Sequence, residues 1–115
     1  RREDIRIPAR LPVSLNERLL DAAAGEGVVN LSVNGVYVRM QKDSPVNEIV
    51  RIELNLHGET VTADARVVYS HAGEGGRGGN RGMGLQFLTM SPGGRETIRR
   101  FIHKAVTHGL APGMT

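Results

Sequence analysis

Residues 29–40 read VNLSVNGVYVRM, a pattern that predicts two short strands joined by a tight turn. In the first strand apolar residues alternate with Asn30 and Ser32, so the amide and the hydroxyl are expected to share the outer face. The residues expected to face the core are Val29, Leu31 and Val33. Asn34-Gly35 supplies the positive φ angles of a tight reversal, after which the alternation resumes. The stretch is a predicted hairpin with polar groups beside its turn.

Two interpretations of this hairpin stay open on its own residues. Asn and Ser near a turn often bond to the nearby backbone, which would make Asn30 and Ser32 structural. Alternatively, both side chains contribute to a ligand site. The beginning of the chain bears on this choice.

Alternating apolar residues predict further strands on either side of the hairpin. The first of them contains Pro8 and Pro12, which favour the edge of a sheet because proline cannot donate to a strand ladder. The predicted strands cover residues 7–13, 27–33, 36–41, 50–56, 61–69 and 83–87. Residues 16–26 show no assignable pattern, and residues 41–47 have the composition of a loop.

One amphipathic helix is predicted at the end of the chain. Ser91-Pro92 is typical of a helix start, with a capping hydroxyl and a proline in the first turn. Apolar residues then recur at helical spacing, and Gly109 can end the helix. They are Ile98, Phe101, Ile102, Ala105 and Val106. Five or six strands followed by one helix favour a small antiparallel barrel or a strongly curled sheet with the helix packed on it.

Length and composition bound the class of protein. The 115 residues suffice for one domain with a substantial core but not for two. The chain has no cysteine, no membrane-spanning apolar run and no signal-peptide pattern, so we expect a soluble, cytoplasmic domain without membrane contact.

The basic residues are mostly arginine, which bears on the ligand. Net charge is +3, and 13 of the 15 basic residues are arginine, whose planar fork matches phosphate and the edge of guanine. A GC-rich gene would produce the same bias without any ligand.

No pattern in the sequence predicts catalysis or a metal site. The histidines do not pair at metal-ligand spacing, and no serine lies in a G-x-S-x-G elbow. We therefore expect no enzyme activity and no cofactor. The glycine-rich segment GEGGRGGNRG, residues 73–82, leads into a strand instead of a helix, so it is a predicted hairpin loop and not a phosphate-binding loop.

Four segments of the chain together resemble the PilZ family of bacterial cyclic di-GMP receptors. They are R-x-x-x-R at residues 2–6, N-x-S-x-x-G at residues 30–35, GMGLQF at residues 82–87 and SPGGRETIRRFI at residues 91–102. The resemblance implies a six-stranded antiparallel β-barrel with a packed C-terminal helix. In that scheme residues 1–6 form a flexible arginine arm, residues 7–90 the barrel and residues 91–109 the helix.

The resemblance also implies a ligand site. Arg2 and Arg6 would engage the phosphates and guanine edges of cyclic di-GMP, and arginine can donate to both groups. Asn30 and Ser32 would hydrogen-bond the ligand, and Gly35 would allow its close approach. In this family an arginine at the position of Arg1 is associated with binding a second, stacked nucleotide.

The leading functional hypothesis is a non-catalytic second-messenger receptor that signals to an unidentified protein partner when the nucleotide orders the arginine arm. One alternative is a nucleotide-independent protein-interaction module of the same fold. Another is a basic barrel for single-stranded nucleic acid, which is disfavoured because both phenylalanines are expected in the core and only Tyr37 and Tyr69 remain as stacking groups.

Overall fold

A computed structural model describes residues 5–40, 44–71 and 82–107 of the chain. In this part of the chain, eight strands form one antiparallel sheet and a single α-helix follows them. The strands are β1 Ile7–Pro8, β2 Val13–Leu15, β3 Arg18–Leu19, β4 Gly27–Leu31, β5 Gly35–Arg39, β6 Ile49–Leu56, β7 Glu59–His71 and β8 Gly82–Met90. The helix α1 spans Gly94–Thr107, and a short 3₁₀ helix covers Ala22–Ala24.

The strand order in the sheet is β1-β4-β5-β8-β7-β6-β2-β3, and the sheet curls into a half-barrel. Each neighbouring pair of strands is antiparallel. Residues 7–13 were predicted as one strand, but this segment is divided between β1, which pairs with β4, and the start of β2, which pairs with β6. Because one short segment thereby joins two distant parts of the sheet, the sheet must curl. The predicted barrel-like fold is confirmed.

The predicted count of six strands is wrong for two reasons. The first predicted strand is split in two, and the prolines near the break cannot donate to a continuous ladder. In addition, residues 16–26, which showed no pattern, contain β3 and the 3₁₀ helix. Asp21 caps that helix by accepting a hydrogen bond from the Ala23 N–H at 2.9 Å.

The core lies between the concave face of the sheet and α1. Alternate residues of β6 are buried, as the sequence pattern predicted, and Ile52 and Leu54 have no exposed surface. Ile98 and Ile102 bring the apolar stripe of α1 into the same core. Val106 was predicted to continue the stripe but is 43% exposed, so the buried part of the helix ends one turn earlier.

The helix begins at Gly94, and the prediction that Ser91 caps it is wrong. Ser91 instead bonds to β7, since its N–H donates to the Thr62 carbonyl at 2.8 Å and its Oγ accepts from the Thr62 N–H at 3.3 Å. The helix meets β7 closely at its first residue. A Cβ at Gly94 would lie 2.9 Å from Cγ1 of Val61, so glycine lets the two elements touch.

The helix is too short and too polar to cross a bilayer, and no other helix in residues 5–40, 44–71 and 82–107 is long and apolar enough to do so.

Candidate functional site

Strand β1 places Arg6 beside the β4–β5 hairpin. Ile7 pairs with Leu31 and Pro8 with Asn30, and the Ile7 side chain is buried at 5% exposure. Because side chains alternate along a strand, Arg6 lies on the outer face. Its Nη1 donates a hydrogen bond of 2.7 Å to Oδ1 of Asn30. The structure thus brings together one predicted residue from each half of the motif.

A β-bulge in β4 determines which way Asn30 faces. Val28 pairs with Val38, but the next paired residue is Asn30 with Tyr37, so Val29 is the extra residue. Val29 was predicted to face the core, and this is wrong. Val28 is buried in its place, and beyond the bulge Leu31 is also buried. The bulge shifts the alternation by one position and leaves Asn30 half-buried on the outer face.

Ser32 is buried, which contradicts its predicted place on the outer face. The side chain is 2% exposed, and its hydroxyl closes the turn by donating to the Gly35 carbonyl and accepting from the Gly35 N–H, both at 3.2 Å. The Ser32 N–H also donates to the Gly35 carbonyl at 2.9 Å. The contacts of Ser32 therefore agree with the first of the two interpretations of the hairpin, in which this side chain bonds to the nearby backbone.

Gly35 is needed for a different reason from the one the sequence indicated. Neither Asn34 nor Gly35 has a positive φ angle, so the predicted turn conformation is wrong. Instead, Gly35 pairs with Gln86 of β8, and a Cβ at Gly35 would collide with the carbonyl oxygen of Leu85. The glycine lets β8 approach the hairpin closely.

Helix α1 contacts the same turn through a residue that the sequence analysis missed. Nη1 of Arg95 donates to the carbonyl oxygen of Val33 at 3.3 Å. Sixty-two positions separate the two residues, so no local pattern could have indicated this contact. The bond joins the start of the helix to the tip of the hairpin.

The outer face next to Asn30 carries aromatic and basic side chains that the sequence analysis also did not assign to the site. Tyr37 is the paired neighbour of Asn30, and its ring stacks on that of Tyr69 with centroids 6.0 Å apart. In the next row, Nη2 of Arg66 donates to Oε1 of Gln86 at 2.9 Å. The alternation in β5 was a signal for the outer position of Tyr37, but Tyr69 is in phase with the buried Val67 and faces outwards only because the register shifts between Val67 and Tyr69.

The predicted site residues Arg1 and Arg2 lie outside the described residues, as do residues 73–81 of the glycine-rich segment and His108. His57 and His103 are exposed, and the His57 ring contacts Phe101 with centroids 5.2 Å apart. Within residues 5–40, 44–71 and 82–107 there is no group of three or more side chains suited to hold a metal ion.

The chain matches known proteins both by family and by fold. A family model described as PilZ domain matches residues 1–104. Two similar solved structures are the inhibitor of motility MotI/DgrA from Bacillus subtilis, with TM-score 0.73 and 18% identity, and YcgR from Escherichia coli in complex with c-di-GMP, with TM-score 0.69 and 19% identity. The alignments cover 93% and 96% of this chain.

The chain spans about half the length of these two proteins, 52% and 48% respectively. The PilZ domain of Escherichia coli YcgR with c-di-GMP matches over 95% of this chain and 94% of that chain, with TM-score 0.63 and 17% identity. No curated protein sequence matches the chain significantly. At these identities the structural likeness establishes the fold.

Proposed function

The chain belongs to the PilZ domain family, and from that premise we propose that it is a non-catalytic receptor for cyclic di-GMP. Two structures similar to this chain are of YcgR with that nucleotide. We assign the ligand to the outer face of the sheet, where Arg6 meets Asn30 of the hairpin.

The hydrogen bond from Arg6 to Asn30 is the observation that carries the proposal. It joins residues 24 positions apart, it is exposed, and no packing requirement of the core accounts for it. A guanidinium has five N–H donors in a fixed fork, and the Asn30 amide retains two N–H donors when its oxygen accepts from Arg6. The pair can therefore donate to phosphate oxygens and to O6 and N7 of guanine.

The remaining roles follow the same scheme. Arg2 contributes a second guanidinium from the arm, and Arg1 contacts a second nucleotide if two are bound. Ser32 contacts the ligand only by exchanging its bonds to Gly35, so we propose that it acts first by holding the turn. Gly35 keeps the turn narrow enough for the ligand to approach.

We propose that signalling works by ordering the arm. Residues 1–6 form the arm, residues 7–90 the curled sheet and residues 91–109 the helical segment. Ligand binding fixes the arm against β4, and charge-assisted bonds offset its loss of conformational entropy. The ordered arm changes the surface offered to a downstream protein in the cytoplasm.

Calorimetric titration with cyclic di-GMP tests the proposal. We expect saturable binding by the intact chain and a loss of roughly 5- to 150-fold in affinity for Arg6→Ala, the range of one good bidentate base contact. Arg2→Ala is expected to behave similarly. The matched control is Arg100→Ala, which removes the same charge from the exposed face of α1 near Glu59.

The outcomes separate the parts of the proposal. Absence of heat from the intact chain rejects the receptor function. Normal affinity in both Arg2→Ala and Arg6→Ala rejects the assigned residues, and an equal loss in Arg100→Ala shows that only net charge matters.

A second candidate is a nucleotide-independent interaction module. The burial of Ser32 favours it, because a motif whose hydroxyl closes its own turn serves the fold without any ligand. The same titration discriminates, since this candidate requires an intact chain that releases no heat with the nucleotide.

A further inference from the structure

Two tyrosines lie side by side on the outer face of the sheet, in line with the Arg6–Asn30 contact. Asn30 pairs with Tyr37, Tyr37 with Gly84, and Gly84 with Tyr69, so one row crosses β4, β5, β8 and β7. The rings of Tyr37 and Tyr69 are stacked, with centroids 6.0 Å apart and planes inclined by 27°. Tyr37 is half-buried and Tyr69 is 52% exposed.

Two glycines of β8 let these rings lie on the strand between them. A Cβ at Gly84 would lie 2.5 Å from Cε2 and 2.6 Å from Cζ of Tyr69. A Cβ at Gly82 would collide with the hydroxyl of Tyr37. Any larger residue at either position would lift a ring off the sheet. We call this surface, Tyr37 and Tyr69 over Gly82–Gly84, the tyrosine platform.

Basic side chains lie on both sides of the tyrosine platform. In the row towards the hairpin turn, Arg66 pairs with Gln86 and bonds to its side chain. In the row on the other side, Arg39 pairs with Gly82 and is exposed. Arg6 approaches from β1 through Asn30. An aromatic surface bordered by guanidiniums suits a flat, electron-rich ring attached to an anion.

The dimensions also suit such a ligand. Neighbouring strands are about 4.8 Å apart, so the row from Asn30 to Tyr69 spans roughly 14 Å. A phosphate held by Arg6 therefore leaves an attached base within reach of Tyr37, one strand away.

We propose that the tyrosine platform stacks one guanine base of the cyclic dinucleotide whose phosphate is held at Arg6. This assignment rests on the proposed receptor function. Stacking on the rings supplies affinity that depends little on base identity, while the edge of the base is left for Arg39 and Arg66 to recognise. A purely structural role, in which the rings cover the backbone of β8, would explain why they lie over glycine. It would not explain why the outer face of Tyr69 stays exposed.

The chain provides its own reporter for this contact. It contains two tyrosines and no tryptophan, so its intrinsic fluorescence comes only from the tyrosine platform. We expect cyclic di-GMP to quench this emission with the same midpoint as the calorimetric titration. Free tyrosine amide titrated in parallel corrects for light absorbed by the nucleotide.

Variants at the exposed ring separate stacking from other effects. We expect Tyr69→Leu to lose roughly 5- to 150-fold in affinity and Tyr69→Phe to keep affinity near that of the intact chain, because phenylalanine retains the stacking face. Tyr37→Leu is expected to weaken binding as well. Unchanged thermal midpoints by circular dichroism confirm that each variant is folded.

The outcomes distinguish failure of this inference from failure of the proposed function. Heat without quenching, and full affinity in Tyr69→Leu and Tyr37→Leu, overturns the tyrosine platform as a base site and leaves the receptor function standing. Neither heat nor quenching from the intact chain overturns the receptor function itself. Quenching by a single-stranded oligonucleotide but not by cyclic di-GMP overturns the assigned ligand.

Discussion

Substitution of Gly35 by alanine tests how the hairpin is joined to the rest of the sheet. The added Cβ would overlap the carbonyl oxygen of Leu85, a backbone atom that no change of side-chain conformation can move. Carbon and carbonyl oxygen normally stay at least about 3.3 Å apart, so β5 and β8 must separate locally by about 1 Å. The backbone of the turn must absorb this displacement.

The cost can be worked out from the contacts at this point. The backbone groups of Gly35 bond to Ser32 within the turn, so a separation of about 1 Å would instead disturb the neighbouring ladder bonds between β5 and β8. The bond from the Phe87 N–H to the Asn34 carbonyl, now 2.9 Å, is strained as well. At about 1 kcal/mol for each bond, plus the overlap itself, we expect a loss of about 2–4 kcal/mol in the free energy of unfolding.

Urea unfolding followed by circular dichroism measures this loss, and a thermal scan should show a midpoint lower by about 8–16 °C. Gly58→Ala is the control, because Gly58 has a φ of 96° but nothing lies within 4 Å of an added Cβ. It should cost about 1–2 kcal/mol from backbone strain alone. A Gly35→Ala variant as stable as the intact chain would refute the close-approach account of Gly35.

Two further substitutions test the turn and the core. Ser32→Ala removes the hydroxyl bonded to the Gly35 backbone and should cost about 1–2 kcal/mol, measured by urea unfolding; a neutral result would show that the turn does not need this side chain. Ile98→Ala should cost about 2–5 kcal/mol because Ile98 is fully buried, whereas Val106→Ala on the same helix should cost under about 1 kcal/mol; equal losses would contradict the assigned end of the buried stripe.

The sequence was sufficient for those features that depend on a regular period. The alternation in β6 and the apolar stripe of α1 each repeat over several residues, so the buried faces could be read directly. A bulge breaks the period without leaving a local mark. Val28 and Val29 are identical in type, and only pairing with β5 determines which of them faces the core.

The conformation of the Asn34-Gly35 turn was mispredicted because glycine is favoured for more than one structural reason. Asn-Gly usually indicates positive φ angles, but glycine is also favoured where two backbones approach closely. Gly35 belongs to the second case. The demand comes from β8, which follows β5 only after two intervening strands, so residues near Gly35 in the sequence carry no information about it.

The same limit applies to the candidate site. The meeting of Arg6 with Asn30 was expected because both belong to one motif resemblance. The stacking of Tyr37 on Tyr69 was not, since it results from the order β5-β8-β7 and from the registers that align both rings with Gly84. A contact between strands that are adjacent in the sheet but not consecutive in the chain can be predicted only when the strand order is already known.

The members of the N-x-S-x-x-G motif therefore differ in how much they say about ligand binding. Ser32 closes the turn through its hydroxyl, and Gly35 allows the close approach of the β8 backbone. Both residues therefore serve the fold whether or not the domain binds a nucleotide. The fold does not require Asn30 and Arg6 in the same way, because their hydrogen bond is exposed and contributes little to stability. Variants of Arg6 or Asn30 are therefore the ones expected to lose nucleotide affinity while keeping their free energy of unfolding.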